Sequence, residues 1–243
     1  LFRSMKQIRS KLPYVDSTFI TTAGQALRRF SNVHGFTAFV PNLVDSSIDW
    51  PRCHERSDQK FDAFWAMRNS NGKTVTDRRV TIPLAIEKSG QVTIDYYGMN
   101  GKPELYNADY YKKISDCKMG LNISVNRTWD DTPIAHPDEL YLYSSDRITH
   151  YMGSGLLTFN TRENALQEMF AEDKEMVFFE TEEELLDKLV YYKNNDEARK
   201  AIAAAGWKKS HECFNERLVA KFIVESTFNQ KYTENYQWPT DKY

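Results

Sequence analysis

The stretch that decides the fold spans residues 141–170, YLYSSDRITHYMGSGLLTFNTRENALQEMF. Its order of residue types predicts a helix, a glycine turn, a short buried strand, a loop and a second helix. Ser144 and Ser145 are the N-cap candidates of the first helix, because a serine hydroxyl accepts a hydrogen bond from a free backbone N–H group. Gly153 and Gly155 are expected to end that helix, since glycine takes the positive φ of a C-terminal turn.

The apolar run at residues 156–159 predicts the buried strand. Asn160 and Thr161 follow it, and we expect the second helix to start near Arg162. Two helix N-termini would then flank one strand, with Arg147 and Arg162 close by. Exposed N–H groups and the helix dipole attract anions, so the stretch predicts a phosphate site.

Composition excludes several classes of protein. The 243 residues carry 32 Lys and Arg against 34 Asp and Glu, a formal charge of -2, so no global basic field favours nucleic-acid binding. Cys53, Cys117 and Cys213 form no C-x-x-C pair, which favours reduced thiols in a cytoplasmic protein over a disulfide framework or a zinc site. The chain has no apolar run of about 18 residues, which predicts that no segment spans a membrane.

The part that precedes residue 60 predicts a strand–helix–strand unit. Residues 17–21 and 37–40 are the strands and residues 23–30 the helix between them. Residues 1–12 also have a helical period, and because the chain begins inside it, we expect preceding sequence to be missing. The polar stretch 46–59 contains Pro51 and is typical of an interdomain linker.

Strands and helices alternate from residue 60 onward, which predicts a parallel, doubly wound α/β sheet. The predicted strands are 61–67, 92–97, 118–124 and 176–179, and the predicted helices are 77–87, 107–115, 181–192, 196–206 and 209–228. Ligands bind outside the carboxyl ends of the strands in such sheets. The loops 68–73, 97–102 and 122–127, together with Ser144 and Thr161, are therefore expected to meet at one edge.

The order of elements resembles the C-terminal nucleotide-binding domain of GT-B glycosyltransferases. The nearest branch is the glycosyl transferases group 1 set that includes spore-maturation-protein-like enzymes. The matching features are Arg147, the small residues 153–155, the apolar strand 156–159, Glu168 with Met169 and Phe170, the strand 177–179, and the run from Leu185 through Tyr191 and Tyr192 to Gly206. The resemblance implies that residues 1–45 end an N-terminal Rossmann-like domain, that 60–225 form the nucleotide-sugar domain, and that 226–243 cross back.

The resemblance also implies a donor site for a UDP- or GDP-linked sugar, with no metal and no cofactor. Carried over by position, its residues are Arg68, Lys73, Tyr97, Asn100, Asn122, Ser144, Ser145, Arg147, His150, Thr161 and Glu168. Two positions depart from the retaining members of the family. His150 stands where many members have a ribose-binding Glu, and Leu142 stands where the first Glu of their paired motif would be.

These implications define the expected activity, metal-independent transfer of a hexosyl-type sugar to a glycan or lipid-linked acceptor. The family suggests bacterial surface polysaccharide or lipopolysaccharide assembly, in the cytoplasm or at the inner face of the membrane. The general base of an inverting reaction would come from the N-terminal half, so no catalytic residue is named. The alternative is a non-catalytic nucleotide- or sugar-binding regulatory module, which the two missing carboxylates favour; a flavodoxin-like phosphate-binding domain fits less well.

Some candidate residues also have ordinary structural explanations. Arg147 could pair with Asp146 or Glu139 on the surface, since exposed ion pairs of neighbouring charges are common. His150 could be a core histidine with satisfied hydrogen bonds, and Glu168 could stabilise only its local turn. Both kinds of explanation remain open at the level of sequence.

Overall fold

The computed structural model describes residues 10–30, 35–68, 77–123 and 140–243. Its N-terminal part holds two parallel strands, β1 (Ser17–Ile20) and β2 (Phe36–Phe39). The segment Gly24–Phe30 lies between them as a 3-10 helix. The predicted strand–helix–strand unit is therefore present, with a 3-10 helix where the sequence predicted an ordinary one. Most of the helix predicted at residues 1–12 lies outside the described residues, and Leu12–Tyr14 forms a 3-10 turn.

A second sheet of five parallel strands follows, in the spatial order β4-β3-β5-β6-β7. The strands are β3 (Phe61–Ala66), β4 (Ile94–Tyr97), β5 (Cys117–Asn122), β6 (Leu157–Thr161) and β7 (Val177–Phe179). The strands lie in the predicted places, and the register sets Asn122 opposite Asn160 at the carboxyl ends of β5 and β6. The prediction of an α/β fold with a parallel sheet is confirmed.

Six α-helices accompany this sheet among the described residues. They are α1 (Arg78–Ser89), α2 (Asn107–Ser115), α3 (Asp146–Gly153), α4 (Glu182–Asn194), α5 (Asp196–Cys213) and α6 (Glu216–Thr227). The caps explain several of their starts: Asp77 accepts a hydrogen bond from the Arg79 N–H group at the head of α1, and Thr181 accepts one from Glu184 at the head of α4. None of the helices in the described ranges is long and apolar enough to cross a membrane.

Two large apolar clusters hold these elements together. One places Trp65, Leu121 and Phe159 of the sheet against Ile86 of α1 and Leu189 of α4. The second cluster joins the N-terminal strands, α3, α6 and the C-terminal tail through residues that include Phe39, Ile148, Phe222 and Trp238. The tail also pairs with β2, because the backbone N–H groups of Thr37 and Tyr243 each donate to the other residue's carbonyl oxygen at 2.9 Å.

The predicted second helix near Arg162 is wrong. Two 3-10 turns, Arg162–Asn164 and Leu166–Glu168, stand in its place. Ala165 separates them with a φ of +56°, which a continuous right-handed helix does not allow. The predicted turn at the other end is present, since Gly155 has a φ of +80° directly after α3.

The predicted helix end at Gly206 is also wrong, because α5 continues to Cys213. Gly206 is needed inside the helix for close packing and does not end it. A Cβ atom at Gly206 would lie 2.3 Å from the carbonyl oxygen of Glu175, so the helix packs against that loop only without a side chain. The final helix accordingly starts at Glu216, capped by Asn215, and not near Lys209.

Residues 45–59, named here the strap, pack closely on the turn after α3. Cys53 and His54 are buried, and the Cys53 N–H group donates to the carbonyl oxygen of Ser154 at 3.0 Å. Asp49 is also buried, with 1% of its surface exposed. The polar segment that the sequence presents as a linker therefore forms one wall of the region described next.

Candidate functional site

A cleft of about 1520 Å³ opens at the carboxyl end of β3. Its walls come from residues 66–68 at the end of β3, residues 104–112 around the start of α2, and residues 47–56 of the strap. The head of α3 supplies residues 145–147 and His150. This position agrees with the rule that open α/β sheets bind ligands at the carboxyl ends of their strands.

Arg147 is the best-defined cation of the cleft. Its guanidinium group lies 4.4 Å from the centre of the Trp65 ring and donates to the carbonyl oxygens of Ala66 at 3.3 Å and Ile123 at 3.4 Å. A third hydrogen bond joins Nε to Asn122 Oδ1 at 3.2 Å. Because arginine has five N–H donors, two are left for a ligand among the described contacts.

Arg147 forms no ion pair with a described carboxylate. The surface pairing with Asp146 that the sequence allows is therefore not present. Its own backbone N–H group donates to Asp146 Oδ1 at 3.0 Å, while the guanidinium group turns to the strand ends. Glu139, the other partner considered, lies outside the described residues. The guanidinium group thus keeps its charge uncompensated by the described carboxylates.

Asn122 is the hub that positions the head of α3. It is completely buried and donates to Asn160 Oδ1 at 2.6 Å. Its own Oδ1 accepts hydrogen bonds from Ser145 Oγ at 2.8 Å and from Arg147 Nε. Ser145 is the N-cap residue, as predicted, but its hydroxyl is used on Asn122 and caps no helical N–H group. Asn122 therefore orients the site from beneath the cleft surface.

Ser144 ties the head of α3 to the N-terminal strand pair. It is buried, and its N–H group donates to the carbonyl oxygen of Thr21 at 3.0 Å. Its carbonyl oxygen accepts a hydrogen bond from the Asn42 side chain. Ser144 thus holds α3 in place through its backbone.

His150 faces the cleft one turn after Arg147. Its Nδ1 lies 3.1 Å from Asp49 Oδ1 and 3.0 Å from the Tyr111 hydroxyl oxygen. The rings of Tyr110 and Tyr111 meet the imidazole edge-on. Burial, followed by the nearby charge of Asp49, raises the pKa of Tyr111, which therefore stays protonated. The histidine is only partly buried and lines the cleft, so it is not a core residue.

Arg68 also lines the cleft, directly after β3, and its side chain is exposed. Lys73, predicted in the same loop, lies outside the described residues. Arg79 lines the cleft as well, but its guanidinium group is engaged by Asp77 at 2.6 Å.

Tyr97 and Asn100 lie at the β4 edge and are not among the cleft-lining residues. The Tyr97 hydroxyl donates to Asp95 at 3.2 Å, and burial is the main cause that raises the pKa of Tyr97. Asn100 has a φ of +49° in the turn after β4 and donates to the hydroxyl oxygen of Tyr96 at 3.1 Å. Both side chains make local contacts in this structure.

Thr161 and Glu168 also lie apart from the cleft-lining residues. Thr161 is buried, and its hydroxyl donates to Asn164 Oδ1 at 3.2 Å. Glu168 accepts a hydrogen bond from the Tyr141 hydroxyl at 2.7 Å, which is the main cause that raises the pKa of Tyr141 to about 12. Of the predicted donor residues, the structure brings together Arg68, Ser145, Arg147 and His150 on the cleft, with Asn122 beneath them.

Among the residues of the cleft region that were not predicted, Asp49, Trp65 and Tyr111 contact Arg147 or His150. Trp65 belongs to an apolar run that indicates only a buried strand, so its contact with Arg147 has no local sequence signal. Asp49 is 101 positions from His150 and belongs to the segment interpreted as a linker. A contact between two residues so far apart in the chain cannot be inferred from a single sequence.

Metal ligands and disulfides are not features of the described site. No group of three or more His, Cys, Asp and Glu within the described ranges is arranged to hold a metal ion. Cys53, Cys117 and Cys213 are free thiols, and burial raises the pKa of each. The ionisable side chains that line the cleft include those of arginine, lysine, histidine and acidic residues.

Comparison with known protein families identifies the family of this chain. The model of the glycosyl transferase-like family matches residues 76–224, more than half of the chain. The chain belongs to the glycosyl transferase-like family. No curated protein sequence matches the chain significantly.

Solved structures show the same fold at low sequence identity. HepE of Anabaena, solved with UDP-glucose, has a TM-score of 0.62 and 12% identity over 93% of this chain and 68% of its own. Sucrose-phosphate synthase from Thermosynechococcus elongatus has a TM-score of 0.57 and 11% identity over 91% of this chain. The pneumococcal O-GlcNAc transferase GtfA, solved with UDP and GlcNAc, has a TM-score of 0.54 and 12% identity over 92%.

These matches define the architecture. The α/β fold with its five-stranded parallel sheet is that of GT-B glycosyltransferase domains. This chain spans 60% of the length of the sucrose-phosphate synthase and 47% of the length of GtfA.

Proposed function

We propose that this chain is part of a GT-B glycosyltransferase that moves a sugar from a UDP- or GDP-linked donor to a glycan or lipid-linked acceptor. The observation that carries the proposal is Arg147, whose guanidinium group lies at the carboxyl ends of β3 and β5 and opens on the cleft. Family membership supports transferase chemistry. The similar folds of HepE and GtfA, solved with UDP-glucose and with UDP, support a nucleotide-linked donor.

The chemistry of the leaving group explains the arrangement. When the bond between the sugar and the diphosphate breaks, negative charge develops on the diphosphate. Arg147 and the N-terminus of α3 would stabilise that charge as it develops, in a fixed position and without a metal. Arg68 would add a cationic side chain, and His150 would contact a donor hydroxyl. The resemblance adds Lys73 as a second cation, outside the described residues. The other proposed donor residues are Tyr97, Asn100, Asn122, Ser144, Ser145, Thr161 and Glu168.

The biological setting and the division of the chain rest on the resemblance. We place the chain in a spore-maturation-protein-like branch that acts on bacterial surface polysaccharide or lipopolysaccharide, in the cytoplasm or peripherally at the membrane. We assign residues 1–45 to the end of an acceptor-side domain, 46–59 to the interdomain linker, 60–225 to the donor domain and 226–243 to a C-terminal helix end and tail that cross back. A non-catalytic binding module is the second candidate, since Leu142 and His150 stand where carboxylates are expected.

A donor panel tests both candidates. The full-length protein is titrated with UDP, GDP and CMP by calorimetry, and sugar release or transfer is then followed with the corresponding nucleotide sugars. We expect one nucleoside diphosphate to bind and its sugar to turn over, with the rate unchanged by EDTA. Tight binding with no turnover of any donor would favour the regulatory module. No binding of any nucleotide would refute the nucleotide site altogether.

A further inference from the structure

The strap brings a buried carboxylate to the back of His150. Asp49 has 1% of its surface exposed, and both of its oxygens have partners. Oδ2 accepts a hydrogen bond from the backbone N–H group of Asp45 at 3.1 Å, and Oδ1 lies 3.1 Å from His150 Nδ1. The Asp49 N–H group also donates to the carbonyl oxygen of Asp45 at 2.7 Å. The carboxylate therefore has a fixed position and a fixed direction.

This contact determines which ring nitrogen of His150 carries the proton. An ionised carboxylate only accepts hydrogen bonds, so Nδ1 must be the N–H donor to Asp49. The Tyr111 hydroxyl oxygen, 3.0 Å from the same nitrogen, shares that donor. In the neutral ring Nε2 is then left with a lone pair. The described residues provide no hydrogen-bond partner for Nε2, while the imidazole lines the cleft.

His150 and Arg147 are three residues apart on α3, so they lie on the same face of the helix, about 5–6 Å apart at Cβ. Both line the cleft. One ligand with a phosphate group and a hydroxyl group can therefore contact both side chains. A nucleotide sugar carries both groups.

We propose that Asp49 is a positioning residue of the donor site, which holds His150 in the Nδ1–H tautomer so that Nε2 accepts a hydrogen bond from a hydroxyl group in the nucleoside part of the bound nucleotide sugar. The identity of the ligand rests on the proposed function. The position of Asp49 gives the strap a direct part in donor binding. The residue that would set the tautomer of His150 thus lies 101 residues earlier in the chain.

The substitution Asp49→Asn changes the tautomer while it keeps the shape of the side chain. The Asp45 N–H group still requires an acceptor, so the amide oxygen of Asn would take the place of Oδ2 and the NH2 group would face His150. Nδ1 then has to accept, and the proton moves to Nε2. The ring would present a donor to the cleft in place of an acceptor.

The experiment measures the ring nitrogens of His150 by 15N NMR at pH 8 and the affinity for UDP and GDP by calorimetry. We expect the Nδ1–H tautomer in the wild type, the Nε2–H tautomer in Asp49→Asn, and about tenfold weaker binding of the nucleotide by the variant. Asp45→Asn is the matched control on the same strap. Among the described residues its side chain accepts hydrogen bonds only from Ser47, so the tautomer and the affinity should match those of the wild type.

Each outcome decides the proposal. An Nε2–H tautomer in the wild type, which needs no variant to measure, would overturn it. A wild type that binds the nucleotide and an Asp49→Asn variant that binds it equally well would also overturn it and leave the proposed function intact. A wild type that binds neither UDP nor GDP would overturn the proposed function, and this inference with it.

Discussion

The head of α3 and the turn after β6 carry similar sequence signals and form different structures. Each places a hydroxyl residue shortly before an arginine, Ser145 before Arg147 and Thr161 before Arg162. The first sequence begins a helix of eight residues whose arginine opens on the cleft. The second forms a 3-10 turn of three residues, and its hydroxyl is buried against Asn164.

The difference that matters for function is the supply of carboxylates. Arg162 pairs with Glu172 through two hydrogen bonds and with Glu180 at 3.1 Å, so its charge is neutralised within the protein. Arg147 instead contacts backbone carbonyl oxygens and the face of Trp65. A cation beside a strand end is therefore available to a ligand only where the rest of the chain leaves it without an acidic partner.

The largest expected effect comes from the buried asparagine of each region. Asn122→Ala removes the hydrogen-bond partner of Asn160 Oδ1 and of Ser145 Oγ and should lower the free energy of unfolding by about 2–6 kcal/mol, at 1–3 kcal/mol for each unpaired group. Asn164→Ala removes bonds to Thr161 and Tyr143 and should also destabilise the protein, by about 1–3 kcal/mol. Urea denaturation measures both losses.

Nucleotide affinity separates the two asparagine variants. Asn122 also holds the Nε atom of Arg147, so its loss should weaken UDP or GDP binding. Asn164 donates to the carbonyl oxygen of Tyr143, a cleft-lining residue, but makes no described contact with Arg147, so Asn164→Ala should weaken nucleotide binding much less than Asn122→Ala does. Equally weakened nucleotide binding in both variants would show that the head of α3 and the turn after β6 form one site, and would contradict the functional difference between them.

The two arginines give the next effect in size. Arg147→Ala should weaken the binding of a nucleoside diphosphate by about 1.5–3 kcal/mol, the usual value of a hydrogen bond to a charged group, or roughly 10- to 150-fold. Arg162→Ala is the matched control, because its guanidinium group is already paired with Glu172. We expect it to change the affinity by less than about 0.5 kcal/mol. An unchanged affinity for Arg147→Ala in calorimetry would remove this residue from the donor site.

Much of the fold follows from local sequence, since local forces decide it. The apolar runs locate all five strands of the large sheet, and α2 matches its predicted bounds, Asn107–Ser115. Thr181 caps α4 as its spacing to Glu184 predicts. The two wrong boundaries have tertiary causes: Ala165 takes a positive φ next to buried Asn164, and Gly206 is a packing contact with Glu175 inside α5.

The residues of the site also divide into those that local sequence predicts and those that only tertiary packing brings together. Arg147 and Ser145 were predicted, because a helix N-terminus after a strand is a local pattern. Asp49 and Trp65 were not, since they reach Arg147 and His150 only when distant segments pack together. The sequence shows which side chains carry the right chemistry, and the packing decides which of them keep it available.

The smallest expected effect is the pH dependence of the stability that the ion pair between Arg162 and Glu172 contributes. Arg162 holds the pKa of Glu172 below its usual range, mainly through their hydrogen bonds, so the pair stabilises the fold above the ordinary pKa of Glu, near 4.3. That stabilisation is lost as the pH falls through the lowered pKa of folded Glu172. Both side chains are about a third exposed, and the pair should contribute about 0.5–1 kcal/mol at pH 7.

Urea denaturation of the wild type and Arg162→Ala between pH 7 and pH 3 measures this contribution. The difference in unfolding free energy should be full at pH 7 and should shrink in acid, because protonated Glu172 no longer attracts the arginine. Lys208→Ala removes an exposed pair with Glu212 at 3.9 Å and serves as a control with no measurable change. A difference that stays constant down to pH 3 would mean that Arg162 stabilises the turn by packing alone. The charge of Arg162 would then be as available to a ligand as that of Arg147.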